Sequence, residues 1–360
     1  MNRKQAPTIN DLAQRLGVHK STVSRAMDPQ RRHQIGAELL QRVEAAAREI
    51  GYRPNRGAAA LSTGRSRTIG VLLPDITNPV FPPILRGIED ALDAEGYFAL
   101  LANTSRREGA AQGAVERMQA QQVEGFIVAT AVRDDPWLEG LRKSGAAIVL
   151  VNRSDCRGRL PEVINDDMFG MRLAVDHLVE LGHRRIGHLA GPSNLSTGLS
   201  RRLGFEQALR TRDLAPAAVV ECDAYSIEAG ERAMAALLDG VRSRGPAGDQ
   251  AITATVAAND LLALGALQTL QRRGVPVPAS MSVIGHNDIP LLEQITPPLS
   301  TLRIQHYEMG FRAAQLLLDT LRGVPGSTET SIVLRPHLVL RGSTAVPAAT
   351  PIPQRKTASR

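Results

Sequence analysis

The side chains able to do chemistry are spread unevenly along this chain. Residues 1–67 carry 13 Lys and Arg against 5 Asp and Glu, a net of +8, whereas residues 68–360 carry 30 and 31, a net of −1. The whole excess therefore belongs to the first fifth of the chain. A small basic region joined to a near-neutral large one points to a polyanion as the partner of the small one. Catalytic constellations do not emerge. There is no Walker-type phosphate loop, no Gly-x-Ser-x-Gly elbow and no dinucleotide glycine fingerprint. His183 and His188 lie five apart about a predicted strand, poor geometry for a shared metal. Cys156 and Cys222 lack metal-ligand spacing and read as two reduced thiols in the core. No metal, no cofactor and no enzymatic activity are expected.

Composition narrows the setting. Apolar residues make up 43% of the chain, the globular range. No apolar run approaches the ~18 residues of a membrane span. The polar start, Met1-Asn2-Arg3-Lys4-Gln5, has no secretory stretch. The expectation is a cytoplasmic protein with no membrane contact.

The elements that must position the basic residues are helical. Thr8 can cap a first helix with Asp11 three residues on, and Ile9, Leu12, Ala13 and Leu16 then share one face. Gly17 supplies the turn that ends it. A second helix turns Val23, Ala26 and Met27 inward and stops at Asp28-Pro29, and a third over about 37–50 turns Leu39, Val43, Ala46 and Ile50 inward. Three short helices with a sharp turn between the first two fit a helix-turn-helix domain. The Ala-rich stretch that follows can form about two helical turns, too few to be stable alone in water.

From residue 67 the pattern changes. Apolar runs recur at Ile69–Leu73, Ala99–Ala102, Gly125–Ala129, Ala147–Val151, Ile186–Ala190, Ala254–Ala257, Ser282–Gly285 and Thr330–Leu334. Amphipathic helical segments (83–95, 109–121, 168–181, 199–212, 227–239, 260–273) separate most of them. Strands alternating with helices imply α/β architecture with doubly wound parallel sheets. The length implies two lobes. Ligands in such folds sit beyond the carboxyl ends of the strands.

Several motifs carry a family likeness. Thr8–Met27 resembles the DNA-binding head of the lactose/galactose-repressor family, and Gly51-Tyr52-Arg53-Pro54-Asn55 resembles the junction into that family's hinge helix. The likeness continues through Asp75-Ile76-Thr77-Asn78-Pro79, Leu178–Ile186 and Ala258–Ala266, ending near Arg341–Thr344. It implies a transcriptional regulator that binds a pseudo-palindromic operator in double-stranded DNA as a homodimer and answers to a small effector. The implied domains are a helix-turn-helix over residues 1–53, a hinge over 54–65 and a core like a periplasmic sugar-binding protein over 66–344. The core divides into lobes of about 66–164 plus 296–325 and 165–295 plus 326–344, and a disordered tail is expected over 345–360. Lys20, Ser21 and Arg25 match base-reading positions, where Arg can pair bidentately with guanine. Thr8, Thr22, Ser24 and Asn55 match phosphate-contacting positions, although Thr8 can serve as a cap alone. Leu61 matches a minor-groove wedge. Departures are Gly57 and Ala59 in the hinge, a loop at Pro29–Gln34 about two residues longer than in the lactose repressor, and His19 as a weaker N-cap than the usual Ser.

The same likeness places Asn78, Phe81, Thr197, Arg201, Tyr225, Asn259 and Asn287 at the effector. Two aromatic surfaces with Arg and Asn suit a pyranose or similar polyol. Arg201 is expected in the cleft on a loop following a strand. Plainer readings are Phe81 and Tyr225 as core, Arg201 as a surface ion-pair residue and Asn259 as a helix cap. Asn287 stands where the family often has Asp, and Leu199 and Ile304 where polar residues are common. An amide donates as well as accepts, so a sugar acid joins the sugars as an expected effector.

Overall fold

The computed structural model describes residues 7–28, 31–52, 65–104, 109–242, 251–323 and 331–348. The chain divides into two compact units, Met1–Arg67 and Thr68–Arg360.

In the first unit, α1 (Ile9–Leu16) opens on a capping box, in which the Thr8 N–H donates to Asp11 Oδ2 (2.7 Å) and the Asp11 N–H to Thr8 Oγ1 (3.3 Å). Gly17 (φ 67) adopts the left-handed conformation that closes it. His19 caps α2 (Lys20–Met27), its Nδ1 accepting from the Ser21 N–H at 3.2 Å. Helix α3 (Ala37–Ile50) packs across both. Leu12, Ala13, Val23, Ala26, Val43, Ala46 and Ala47 form the core, with Leu16, Leu39 and Ile50 half-buried at its edge.

The second unit is built on two six-stranded sheets. The first takes β1 (Thr68–Leu73), β2 (Phe98–Asn103), β3 (Gly125–Val128), β4 (Ala147–Val151), β5 (Glu162–Asn165) and β11 (Ser331–Leu334), in the order β11-β5-β4-β3-β1-β2, all parallel. The second takes β6 (Ile186–Ala190), β7 (Ala218–Glu221), β8 (Ala254–Ala257), β9 (Ser282–Asn287), β10 (Ser300–Arg303) and β12 (His337–Val339), in the order β12-β10-β9-β8-β6-β7, with β12 antiparallel. Helices cover both faces of each. On the first sheet α4 (Phe81–Ala94) and α11 (His306–Arg322) lie against one face, and α5 (Ala110–Ala120) and α6 (Pro136–Lys143) against the other. On the second, α7 (Asp167–Glu180) and α8 (Ser196–Arg210) oppose α9 (Ile227–Arg242) and α10 (Asp260–Arg272). Helices α4 and α11 cross with backbones in contact, because a Cβ at Gly87 would collide with the Tyr307 carbonyl and one at Gly310 with that of Ile84.

The chain passes between lobes after β5, β10 and β11. This corrects the expected lobe limits. Strand β10, assigned with residues 296–325 to the first lobe, pairs with β9 in the second, and β11, assigned to the second, pairs with β5 in the first. Which edge takes a strand's backbone N–H and C=O groups decides its sheet, and local periodicity does not carry that information. Helices α6 and α11 and strands β5, β7, β10 and β12 are elements beyond those expected from the sequence. Two further expectations fail. Cys156 is exposed on the loop after β4, whereas Cys222 is buried as expected. Ala345, expected in a disordered tail, donates its N–H to Ser282 Oγ (3.1 Å), and its carbonyl contacts His183 Nε2 (2.9 Å).

Candidate functional site

In the first unit α2 exposes Lys20, Ser21 and Ser24, with Thr22 and Arg25 half-buried beside them. The capped N-terminus and the packing of Val23 and Ala26 hold this face outward. Arg25 folds back along its own helix, its Nε donating to the Ser21 carbonyl at 3.2 Å. Thr8 is exposed and caps α1. Asn55 and Leu61, together with Gly57 and Ala59, lie outside the described residues.

In the second unit a narrow cleft is lined by Asn78, Val80, Phe81, Asn152, Arg153, Thr197, Arg201, Tyr225, Asn259 and Asn287. All seven residues singled out for a ligand are brought together here. Leu199 and Ile304 are not among the lining residues.

The positions follow from the winding of the sheets. Asn78 comes between β1 and α4, Phe81 opens α4, and Asn152 and Arg153 come directly after β4. Thr197 and Arg201 lie in the first turns of α8, Tyr225 before α9, Asn259 at the start of α10 and Asn287 at the end of β9. Each therefore sits beyond the carboxyl end of a strand. Arg201, expected on a loop, is on a helix because α8 already begins at Ser196.

Arg201 is buried. Its Nε donates to Asp167 Oδ1 (3.0 Å) and its Nη1 to the Ala258 carbonyl (2.7 Å), and its guanidinium lies 6.0 Å from the centre of the Tyr225 ring. The surface reading of this residue is overturned. Burial pushes the Asp167 carboxyl up, but Arg201 and His286 outweigh it and hold the group below its ordinary range. His286 Nε2 stands 3.4 Å from Asp167 Oδ1, and burial, with Arg201 nearby, lowers the pKa of the imidazole. The Tyr225 hydroxyl donates to Thr197 Oγ1 at 3.2 Å. Asn259 caps α10, its Oδ1 accepting from the Leu262 N–H (2.9 Å). The backbone is forced at two lining residues: Asn152 has φ 64, in the left-handed region that Asn tolerates better than most residues, and Asn287 has φ 122.

The two lobes also touch beside the cleft. The Arg133 N–H donates to the Asn194 carbonyl (3.0 Å), Arg133 Nη1 to the Ser193 carbonyl (3.0 Å) and the Ser154 N–H to Ser196 Oγ (2.9 Å). His183 and His188 are structural. His183 is held by Thr253, Ser282 and Ala345, while His188 contacts the Val256 carbonyl (2.8 Å) and stacks on Phe205. Among the described residues no group of His, Cys, Asp or Glu could hold a metal, and no helix is long and apolar enough to cross a membrane.

Residues 8–55 match the profile of the bacterial regulatory proteins of the lacI family, and residues 175–344 that of a periplasmic binding protein-like domain. The HTH-type transcriptional repressor CytR of Escherichia coli K12 is 33% identical over 346 residues, covering 95% of this chain and 97% of that protein. The chain belongs to the LacI family. The ribose operon repressor of Bacillus subtilis is 34% identical over 325 residues, 90% of this chain and 94% of that one. Among solved structures, the lac repressor dimer bound to operator and the anti-inducer ONPF superposes with a TM-score of 0.82 at 28% identity, covering 95% of this chain and 100% of that one. An Enterococcus faecium LacI-family regulator with bound ribose gives 0.65 at 32% identity, covering 78% and 99%. As a LacI-family member this chain is a DNA-binding transcriptional regulator, not an enzyme.

Asn152, Arg153 and Asp167 were missed in the sequence. For the first two a signal existed, since they directly follow the apolar run Ala147–Val151, where ligand residues of such folds collect. For Asp167 there was none, because its partner Arg201 is 34 residues away.

Proposed function

We propose that this LacI-family regulator represses transcription as a cytoplasmic homodimer on a pseudo-palindromic operator, and that a sugar or sugar acid held in the cleft sets its operator affinity. In this reading Lys20, Ser21 and Arg25 read base edges in the major groove, and Thr8, Thr22, Ser24 and Asn55 hold phosphates. Leu61 wedges the minor groove from a hinge over residues 54–65. Asn78, Phe81, Thr197, Arg201, Tyr225, Asn259 and Asn287 hold the effector. No cofactor is required.

The observation that carries the reading is the convergence of residues from both lobes on one cleft. Phe81 and Asn78 come from the first lobe, and Thr197, Arg201, Tyr225, Asn259 and Asn287 from the second. A ligand touching both lobes prefers one lobe arrangement over another. It alters DNA binding only through that preference, and DNA must alter ligand affinity by the same factor. Phe81 and Tyr225 supply apolar faces, while the amides and Arg201 pair with the ligand's polar groups.

Selection of binding sites from random duplex DNA with the full-length chain tests this reading. Enrichment of a two-fold symmetric site, lost on deleting residues 1–64, is expected. Enrichment of an asymmetric site, or retention of binding by the deleted chain, would count against it.

A further inference from the structure

The turn that follows α2 carries charge that the protein itself leaves largely unanswered. Residues 20–34 hold Lys20, Arg25, Arg31 and Arg32 against the single carboxylate of Asp28. Backbone hydrogen bonds key this turn to the end of α2. The Asp28 N–H donates to the Arg25 carbonyl (3.3 Å), and the Asp28 carbonyl accepts from the N–H groups of Arg31 (3.0 Å) and Arg32 (2.9 Å). A 3-10 turn over Arg32–Gln34 then leads to Ile35, which packs half-buried against the core of the first unit. The turn is thus held at both ends, while Arg31, Arg32, His33 and Gln34 are all exposed.

The two arginines of the turn differ in standing. Arg31 Nε lies 3.7 Å from Asp28 Oδ2, with side chains 60% and 32% exposed. So loose a surface pair contributes little and is readily exchanged for another anion. Arg32 has no ion pair and no side-chain hydrogen bond among the described residues. Several exposed arginines of the second unit are instead answered by carboxylates, Arg86 by Asp90 (3.0 Å), Arg232 by Asp223 (2.8 Å) and Arg312 by Glu308 (2.7 Å). Helix α2 has eight residues and is therefore about 12 Å long, close to the width of the DNA major groove. When its first turn meets base edges, the segment beyond its last turn comes against the sugar–phosphate wall.

We propose, resting on the reading of α2 as the helix that enters the major groove, that Arg31 and Arg32 form a phosphate clamp beside it. Arg32 takes a phosphate outright, and Arg31 exchanges Asp28 for a phosphate on binding. The guanidinium fork suits this, since Arg–phosphate pairs form two parallel N–H···O bonds. Phosphate recurs at every nucleotide, so the clamp fixes the position of α2 on the duplex and strengthens specific and non-specific binding alike.

The test uses the full-length chain, a fluorescent duplex carrying the two-fold symmetric site enriched by selection, and a duplex of scrambled sequence. Arg31→Ala, Arg32→Ala, the double variant and Arg32→Lys are compared with the wild type by anisotropy over ~50–200 mM salt, with melting as a control for folding. Arg32→Ala should weaken both duplexes by a similar factor and lower the slope of log K against log salt by about 1 for each protomer. Arg31→Ala should act in the same direction but less, because Asp28 offsets part of its charge. Arg32→Lys should restore the slope, since a point charge also binds phosphate. In ethylation interference on the selected site, a phosphate in each half-site whose ethylation blocks the wild type should cease to matter for the double variant. The clamp is refuted if the double variant keeps the wild-type slope or the wild-type interference pattern. It is refuted too if the loss is confined to the selected site, which would make the arginines base readers. Failure of the wild type to bind either duplex would overturn the reading of α2, and the clamp with it.

Discussion

Arg201 and Asp167 form an ion pair of 3.0 Å inside the second lobe, with side chains only 3% and 7% exposed. Such a pair offsets its desolvation only when further hydrogen bonds complete it. Here the Ala258 carbonyl takes a second guanidinium N–H, and His286 stands against the carboxylate. Arg201 therefore has two tasks, facing the cleft and neutralising Asp167.

Removing the guanidinium should cost stability as well as response. Arg201→Ala strands a buried carboxylate and is expected to destabilise the chain by about 3–5 kcal/mol. Arg201→Lys keeps the charge but loses the planar fork, so it should fold while its DNA retardation responds weakly to effector. Urea denaturation of both variants checks the first point and effector titration the second. An alanine variant as stable as the wild type would mean that Asp167 is protonated or solvated, against the geometry seen.

Arg25 gives a prediction about base reading. Its Nε bond to the Ser21 carbonyl must open for the guanidinium to reach a base edge. Arg25→Ala should cost about 1–3 kcal/mol and relax preference at one position of each half-site. Binding measured on a set of single-base operator variants decides it, since a uniform loss across all of them assigns Arg25 to phosphate.

The charge of the first unit sets the salt dependence. With +8 on residues 1–67, log K for the operator should fall linearly with log salt, steeply between ~50 and ~200 mM. Fluorescence anisotropy over that range is sufficient, and a flat line would remove phosphate neutralisation from the account.

Arg133 tests the coupling between lobes. Its Nη1 bond to the Ser193 carbonyl is one of the contacts that tie the lobes together beside the cleft. Arg133→Ala should loosen that arrangement and raise the effector concentration needed for half-response by roughly two- to tenfold, since affinity scales with the competent fraction. A wild-type response curve would show that this contact does not bias the lobes.

Stability should fall on mild acidification. Burial pushes His188 and His306 each down to about 4 from 6.5, so unfolding takes up protons between those values. The folded state then loses up to about 3 kcal/mol per group as pH falls through the window. Asp260, pushed up to about 6 by burial, works in the opposite direction, because its folded form keeps a proton that the unfolded chain releases above 3.8. Two histidines outweigh one carboxyl, so the melting midpoint should be lower at pH 5 than at pH 7. Asp260→Asn should steepen the drop, and a midpoint that rises on acidification would contradict the balance.

Much of this protein was legible as local pattern. Thr8 and Asp11 announce a helix start because both partners of the capping box lie within four residues of each other. Val23 and Ala26, three apart, mark the inward face of α2 because helical geometry stacks i and i+3 on one side. The apolar runs marked strands, and the rule that ligands meet strand ends, together with family likeness, brought seven cleft residues into view. What stayed hidden depends on distance along the chain. Strand β11 joins β5 through backbone hydrogen bonds between segments far apart in the chain, while β10 stays beside β9, its neighbour in sequence, on the second sheet. Asp167 meets Arg201 only because α7 and α8 pack on the same face of the second sheet. Arg153 becomes a cleft residue only because the lobes bring the loop after β4 opposite Tyr225. Periodicity records that a side chain is buried or exposed, but its partner is chosen when the sheets close and the cleft forms between them.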